Sequence, residues 1–153
     1  MVPKPMLFAL FCVAVLPSIS LQKTVTYKDC GSVMGSIQSV EVSPCSSEPC
    51  VFKKSSNVTI TIHFTAKEAV TKATSSVHGI IGGVPIPFPL PQPDACKDSG
   101  LKCPLVSGQA YDFQQQLEVK SSYPSLKLVV EWEIKDQANK DIVCIEVPAQ
   151  ISS

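Results

Sequence analysis

Arginine is missing from this chain: all thirteen basic residues are lysines, set against thirteen Asp and Glu. That excludes the planar guanidinium fork used for bidentate phosphate and carboxylate recognition. The balanced charge likewise leaves no basic field for a nucleic acid. Histidine is scarce. His63 and His78 are the whole supply of imidazole, and both fall on the polar faces of predicted strands, the position of a solvated surface side chain and not of a general base. Neither a Gly-x-Ser-x-Gly elbow nor a His-Glu-x-x-His pair occurs, and the cysteines lack zinc-type spacing. Glu131 and Glu133, two apart, read as an ordinary solvated strand face rather than as a glycosidase pair. No enzyme, no metal site and no cofactor is expected. A long helical period is also missing, and beyond residue 20 no apolar run reaches the length a bilayer-spanning helix needs.

The one long apolar run is N-terminal. Lys4, the run from Met6 to Leu16, Pro17 and the small-residue site Ser18-Ile19-Ser20 have the layout of a secretory signal peptide. Residues 1–20 are expected to be removed, with cleavage near Ser20, leaving residues 21–153 as a single domain large enough for a hydrophobic core. Cleavage takes Cys12 away and turns seven cysteines into six, which in an exported chain reads as three disulfides. Cys45 and Cys50 flank a tight Pro-rich loop, and Cys96 and Cys103 flank another. Pairing these neighbours leaves Cys30 with Cys144, one of fifteen possible connectivities. Asn57-Val58-Thr59 is a sequon, so Asn57 is expected to be exposed and glycosylated.

What the chain has in abundance is proline at every second position from Pro85 to Pro93. In an extended strand, residues two apart share an edge and a face. The prolines would strip one edge of donors, as suits an edge strand, while Val84, Ile86, Phe88 and Leu90 form an apolar ridge on the other side. A polyproline II ligand is disfavoured, because its recognition wants prolines three apart. Period-two alternation recurs elsewhere. It marks Val25–Asp29, Ile37–Val42, Val58–Thr65, Ser75–Ile81, Tyr111–Lys120, Leu126–Lys135 and Ile142–Ile151 as strands. Ala66–Thr74 is the one stretch of helical composition. These features predict an all-β, immunoglobulin-like sandwich of about seven strands in two antiparallel sheets, and an apolar cavity between the sheets would hold a lipid.

Several segments carry a closer resemblance. Asp29-Cys30-Gly31-Ser32, Val42-Ser43-Pro44-Cys45, Val77-His78-Gly79-Ile80, Gly83 to Pro89 and Tyr123 to Trp132 are similar to the ML lipid-recognition family, and within it to its sterol carriers. The likeness runs in order through almost the whole of residues 21–153. It implies an immunoglobulin-like sandwich with one cholesterol or related sterol between the sheets, no cofactor, and the three disulfides paired as above. It also implies a protein of the lysosome lumen that is partly secreted, monomeric, and in transient contact with lysosomal membrane lipids. Its partner would be the N-terminal domain of the Niemann-Pick type C intracellular cholesterol transporter 1. Carried over by position, Phe88, Val119, Tyr123 and Pro124 match the sterol entrance. Val84, Ile86, Leu117 and Trp132 join them as inward-facing residues, and Gly79-Ile80-Ile81-Gly82 resembles an exposed loop that meets membrane or partner. Other members of the family are lipid-sensing co-receptors for acyl chains. A basic rim for phosphorylated sugars would favour that role, and the missing arginine disfavours it.

Overall fold

The computed structural model describes residues 2–5, 11–17 and 21–153. The expected cleavage site at Ser18–Ser20 and the start of the apolar run lie outside the described residues. Phe11, Val13, Val15 and Leu16 are exposed, as is the free Cys12. Among the described residues there is no helix, and so none long and apolar enough to cross a membrane.

Ten strands are described: β1 (Lys23–Thr24), β2 (Lys28–Asp29), β3 (Gly35–Ser43), β4 (Cys50–Lys53), β5 (Ser56–Ala66), β6 (Thr74–Ile81), β7 (Val84–Phe88), β8 (Ala110–Val119), β9 (Leu126–Lys135) and β10 (Asp141–Ser152). Seven of them have five or more residues: six match the stretches that alternation marks from Ile37 onward, and the seventh, β7, is the edge strand that the alternating prolines mark. One sheet has the order β1-β3-β5-β8, the other β2-β10-β9-β6-β7, and β4 adds to β10. The β4–β10 pair is parallel, an exception to the antiparallel expectation. The Val25–Asp29 segment is not one strand. It crosses from β1 in the first sheet to β2 in the second, with Val25 buried at the crossing. Ala66–Thr74 is also not helical: it runs as an irregular connection in which buried Val70 bridges Leu105, so long-range pairing overrides a weak local preference.

The sandwich core gathers inward residues of both sheets. Phe64 and Phe113 from the first sheet meet Trp132 and Ile134 from the second, all of them fully buried. The Phe113 and Trp132 rings stand edge to face with centroids 6.0 Å apart, a favourable aromatic geometry. Ile142, Val143, Ile145 and Val147 supply the β10 side.

At the edge of the second sheet, β7 pairs with β6 only. Val84, Ile86 and Phe88 lie opposite Ile81, Gly79 and Val77. Pro85 and Pro87 alternate with them, and since proline cannot donate to the ladder its nitrogen belongs on the free side. The turn is made by Gly82 and Gly83 alone, at φ of 57° and 81°, the left-handed pair that a two-residue hairpin of this twist requires. Gly79, Ile80 and Ile81 therefore belong to strand β6, not to a loop.

All three expected disulfides are present: Cys30–Cys144, Cys45–Cys50 and Cys96–Cys103. The first spans 114 residues. The Cys30 amide also donates to the Cys144 carbonyl, and the Ser32 hydroxyl accepts from the Cys144 amide, so β2 is stapled to β10 by three independent links. Replacing both Cys30 and Cys144 by serine is expected to cost about 4–5 kcal/mol by loop entropy, read as a lower urea midpoint.

Candidate lipid pocket between the sheets

A small apolar cavity lies between the two sheets. Phe52, Val77, Phe88, Leu117, Val119, Tyr123, Leu128, Val130 and Ile151 surround it, with Glu118 at the rim. Its volume is about 20 Å³, room for roughly one water. Drug-sized ligands occupy pockets of roughly 300–1,000 Å³, so a sterol enters only if side chains at this end separate. A larger concavity of about 570 Å³ lies on the outer face of the second sheet, against Tyr27, Pro49, Val129 and Pro148. It is an open depression that would leave one side of a lipid in water, whereas burial on both sides is where the hydrophobic gain lies.

Of the eight expected lipid-binding residues, the structure brings Phe88, Leu117, Val119 and Tyr123 together around this cavity. The Phe88 and Tyr123 rings meet edge to face at 5.0 Å and, both half-buried, form the cover. Pro124 is exposed beside Tyr123. Trp132 is 1% exposed and packs on Phe113 beyond the cavity. Val84 and Ile86 share the inward face of β7 with Phe88 but are 59% and 43% exposed. That corrects the continuous ridge: β7 is an edge strand, and the apolar residues toward the tip of its hairpin are left uncovered. Ile80 and Ile81 are half-buried, Gly79 is buried and Gly82 exposed. Asn57 is exposed, as a glycan acceptor must be.

Alternation does not reveal why Phe88 can lie flat. A Cβ at Gly79 would overlap the edge of the Phe88 ring and come within 3.0 Å of Leu128 Cδ1. The bare backbone of β6 is the slot that receives the ring. Gly79→Ala is expected to push Phe88 out of its place over the cavity, breaking the Phe88–Tyr123 contact. Loss of ring-to-ring nuclear Overhauser effects between the two, with an unchanged far-ultraviolet spectrum, is the measurement.

The charged groups sit on the outer faces. On the four-stranded sheet, His63 (β5) lies between Asp112 (β8), Nδ1 to Oδ1 2.5 Å, and Glu41 (β3), Nε2 to Oε2 3.1 Å. It is not the free surface histidine that its alternation suggests. Both ring nitrogens face carboxylates, which accept only, so the doubly protonated ring fits best. Those bonds raise the His63 pKa above 6.5. On the opposite sheet His78 lies 3.8 Å from Glu131. Burial and the neighbouring Glu133 and Glu146 raise the Glu131 carboxyl, and burial with a hydrogen bond to Glu133 pushes Asp141 up to about 7. Raised pKa values mean that the folded state holds protons the unfolded chain has released. The His63 contribution is full below pH 6.5 and is lost as pH rises through its folded pKa. For Asp141 the loss runs from about pH 4 through about pH 7. The protein is therefore expected to melt higher at about pH 5 than at about pH 8, and His63→Gln to reduce that difference in a calorimetric series.

A model of the ML domain matches residues 24–151. The NPC intracellular cholesterol transporter 2 of Mus musculus is 42% identical over 138 residues, 90% of this chain and 92% of that one. Among solved structures, a Niemann-Pick type C2 protein from the Japanese carpenter ant superposes with a TM-score of 0.78 at 32% identity, covering 83% of this chain and 99% of the other. Chicken MD-1 complexed with lipid IVa has a TM-score of 0.53 at 12% identity, covering 83% and 94%, which is a likeness of fold alone. By sequence over most of its length and by superposition, this chain belongs to the ML-domain family.

Proposed function

We infer that this chain is a sterol-binding carrier that holds one sterol between its two sheets and gives it up to a membrane or to a membrane sterol transporter. The observation that carries this reading is the enclosed apolar cavity under Phe88 and Tyr123, in a chain 42% identical to a protein named as a cholesterol transporter. Burying about 400 Å² of apolar ligand surface is worth on the order of 10 kcal/mol. Association entropy and the parting of the sheets offset a good part of that, leaving an affinity suited to cargo that must also be released. Binding is physical and no bond is made or broken.

The finer parts of the reading rest on the family resemblance, with support from where the apolar residues lie. The uncovered hairpin tip, with Ile80, Ile81, Gly82, Val84 and Ile86, is the surface that meets a bilayer or the N-terminal domain of the Niemann-Pick type C intracellular cholesterol transporter 1. Its half-exposed apolar residues flank the cover of the pocket, so contact there can open the route for cargo. The protein acts as a monomer, in the lysosome lumen and in secretions, with a glycan on Asn57 and after removal of residues 1–20. Folded-state proton uptake at His63 and Asp141 suits an acidic compartment.

Lipid extracted from the purified protein should contain sterol by mass spectrometry. Recovery of acyl lipids without sterol would instead make this a lipid-sensing co-receptor. Phe88→Ala should weaken binding of a fluorescent sterol roughly tenfold to a hundredfold, the worth of one buried phenyl group, while the circular dichroism spectrum stays that of a β protein.

A further inference from the structure

The outer face of the four-stranded sheet is not flat. Along β5, Asn57, Thr59, Thr61 and His63 point outward, alternating with buried Val58, Ile60, Ile62 and Phe64. The register sets Glu118, Gln116, Gln114 and Asp112 of β8 beside them, pair by pair. Because β8 is the edge of this sheet, chain from elsewhere can rise past it, and two segments do. The Gln115 Nε2 donates to the Gln92 carbonyl at 2.8 Å, which fastens the Pro91–Gln92 segment. The Gln114 amide donates to the Ser99 carbonyl at 2.8 Å, which fastens the loop closed by Cys96 and Cys103.

These segments turn the face into a trough with a floor of side chains from β5 and β8. One depression, of about 460 Å³, is lined by Thr59, Gln116 and Pro91 among others. A second, of about 400 Å³, is lined by Thr61, His63 and Glu41 among others. They share Gln114 and Asp98 and so are continuous. The Gln114 Nε2 donates to Thr61 Oγ1 at 3.3 Å, which holds that amide in place across the floor.

The lining identifies the kind of ligand. Amides and hydroxyls each donate and accept, as the hydroxyls of a neutral saccharide do. Among the described residues no lysine lines either depression, and His63, the one group there that can carry positive charge, is held between Asp112 and Glu41. An anion therefore finds no counter-charge, and a lipid would strip water from polar groups without replacing its hydrogen bonds. Pro91 adds an apolar patch on which the C–H face of a sugar ring can rest.

A sugar is already expected at the end of this trough. Asn57 is exposed and belongs to a sequon. It stands one outward position before Thr59, about 7 Å along β5, and in the other direction the strand ends at Ser56. Beside Asn57, Val58 pairs with Leu117 and Ser56 with Val119, two walls of the lipid cavity on the reverse side of the sheet. A glycan that runs from Asn57 toward Thr61 therefore runs away from the cavity end.

We propose that the trough is a berth for the chain's own glycan, in which the first two N-acetylglucosamine units on Asn57 lie over the Thr59–Gln116 and Thr61–Gln114 pairs. This rests on the reading of Asn57 as glycosylated. The amides of Gln114 and Gln116 donate to hydroxyl and acetamide oxygens of the sugars, and Asp98 accepts from a hydroxyl at the wall. The berth sets the direction of the glycan and keeps it off the opening used by cargo.

The test uses the chain secreted from cultured animal cells whose glycans are kept in oligomannose form. Trimming the glycan to a single N-acetylglucosamine with an endoglycosidase should shift the backbone amide resonances of Thr61 and Gln114. Shifts absent, or confined to Asn57 and its chain neighbours, would overturn the berth. In a second measurement, Gln114→Ala together with Gln116→Ala should speed release of the glycan from the native protein by a glycan amidase about tenfold, the worth of one well-made hydrogen bond. Thr59 is left in place because the sequon needs its hydroxyl. An unchanged release rate in a variant that melts like the parent would also overturn the berth, and the resonance shifts decide the matter on the parent chain alone. A mass spectrum showing Asn57 unmodified would overturn the glycosylation reading and the berth together, whereas a glycan that is present without effect at Thr61 and Gln114 overturns the berth only.

Discussion

The packing of Trp132 on Phe113 decides where the two sheets can separate and where they cannot. Around it lie the largest fully buried side chains, Phe64, Ile62 and Ile134 among them. Exposing any one of these costs roughly 1.5–3 kcal/mol, so that end of the sandwich is held shut. At the other end the facing residues are half-buried: Phe88, Tyr123, Leu117 and Leu126. The cavity lies there because separation is cheapest there. A carrier needs this asymmetry, with one end fixing the fold and the other yielding to cargo.

Much of this was legible in the residues. Period-two alternation located the long strands, neighbouring cysteines suggested the short bridges, and alternating proline identified β7 as an edge. Alternation gives the face of a side chain but not how far the opposing sheet reaches, which is why Val84 and Ile86 face inward and yet lie in the open. The helical composition of Ala66–Thr74 yielded to a bridge between Val70 and Leu105, 35 positions apart in the chain. His63 looked solvated because its carboxylates come from β3 and β8, and only the strand order brings Glu41 and Asp112 beside it. Gly79 was legible as a strand residue from alternation and as part of an exposed loop from the family resemblance, but neither reading shows that its missing side chain is a shape into which Phe88 fits.

Charge and apolar surface are divided between the faces of the sheets. Their outward sides respond to protons through His63, Glu131 and Asp141, and their inward sides respond to lipid. Tyr111 joins core to surface: its ring packs on Phe64 with centroids 5.9 Å apart, while its hydroxyl accepts from the Val106 amide. The strand β8 thus carries Asp112 outward and Phe113, Leu117 and Val119 inward, so a proton gained on one side and a sterol admitted on the other act on the same ten residues.

The free margin of β7 has a further consequence. A sandwich that parts repeatedly for its cargo periodically loosens its outermost strand, and a loosened margin is where neighbouring molecules in a crowded fluid would ordinarily stitch together into fibres. Pro85 and Pro87 leave no amide there to stitch to. Concentration can therefore rise without polymerisation, and abundance, rather than tight grip on each molecule of cargo, becomes the way such a protein could raise its carrying capacity.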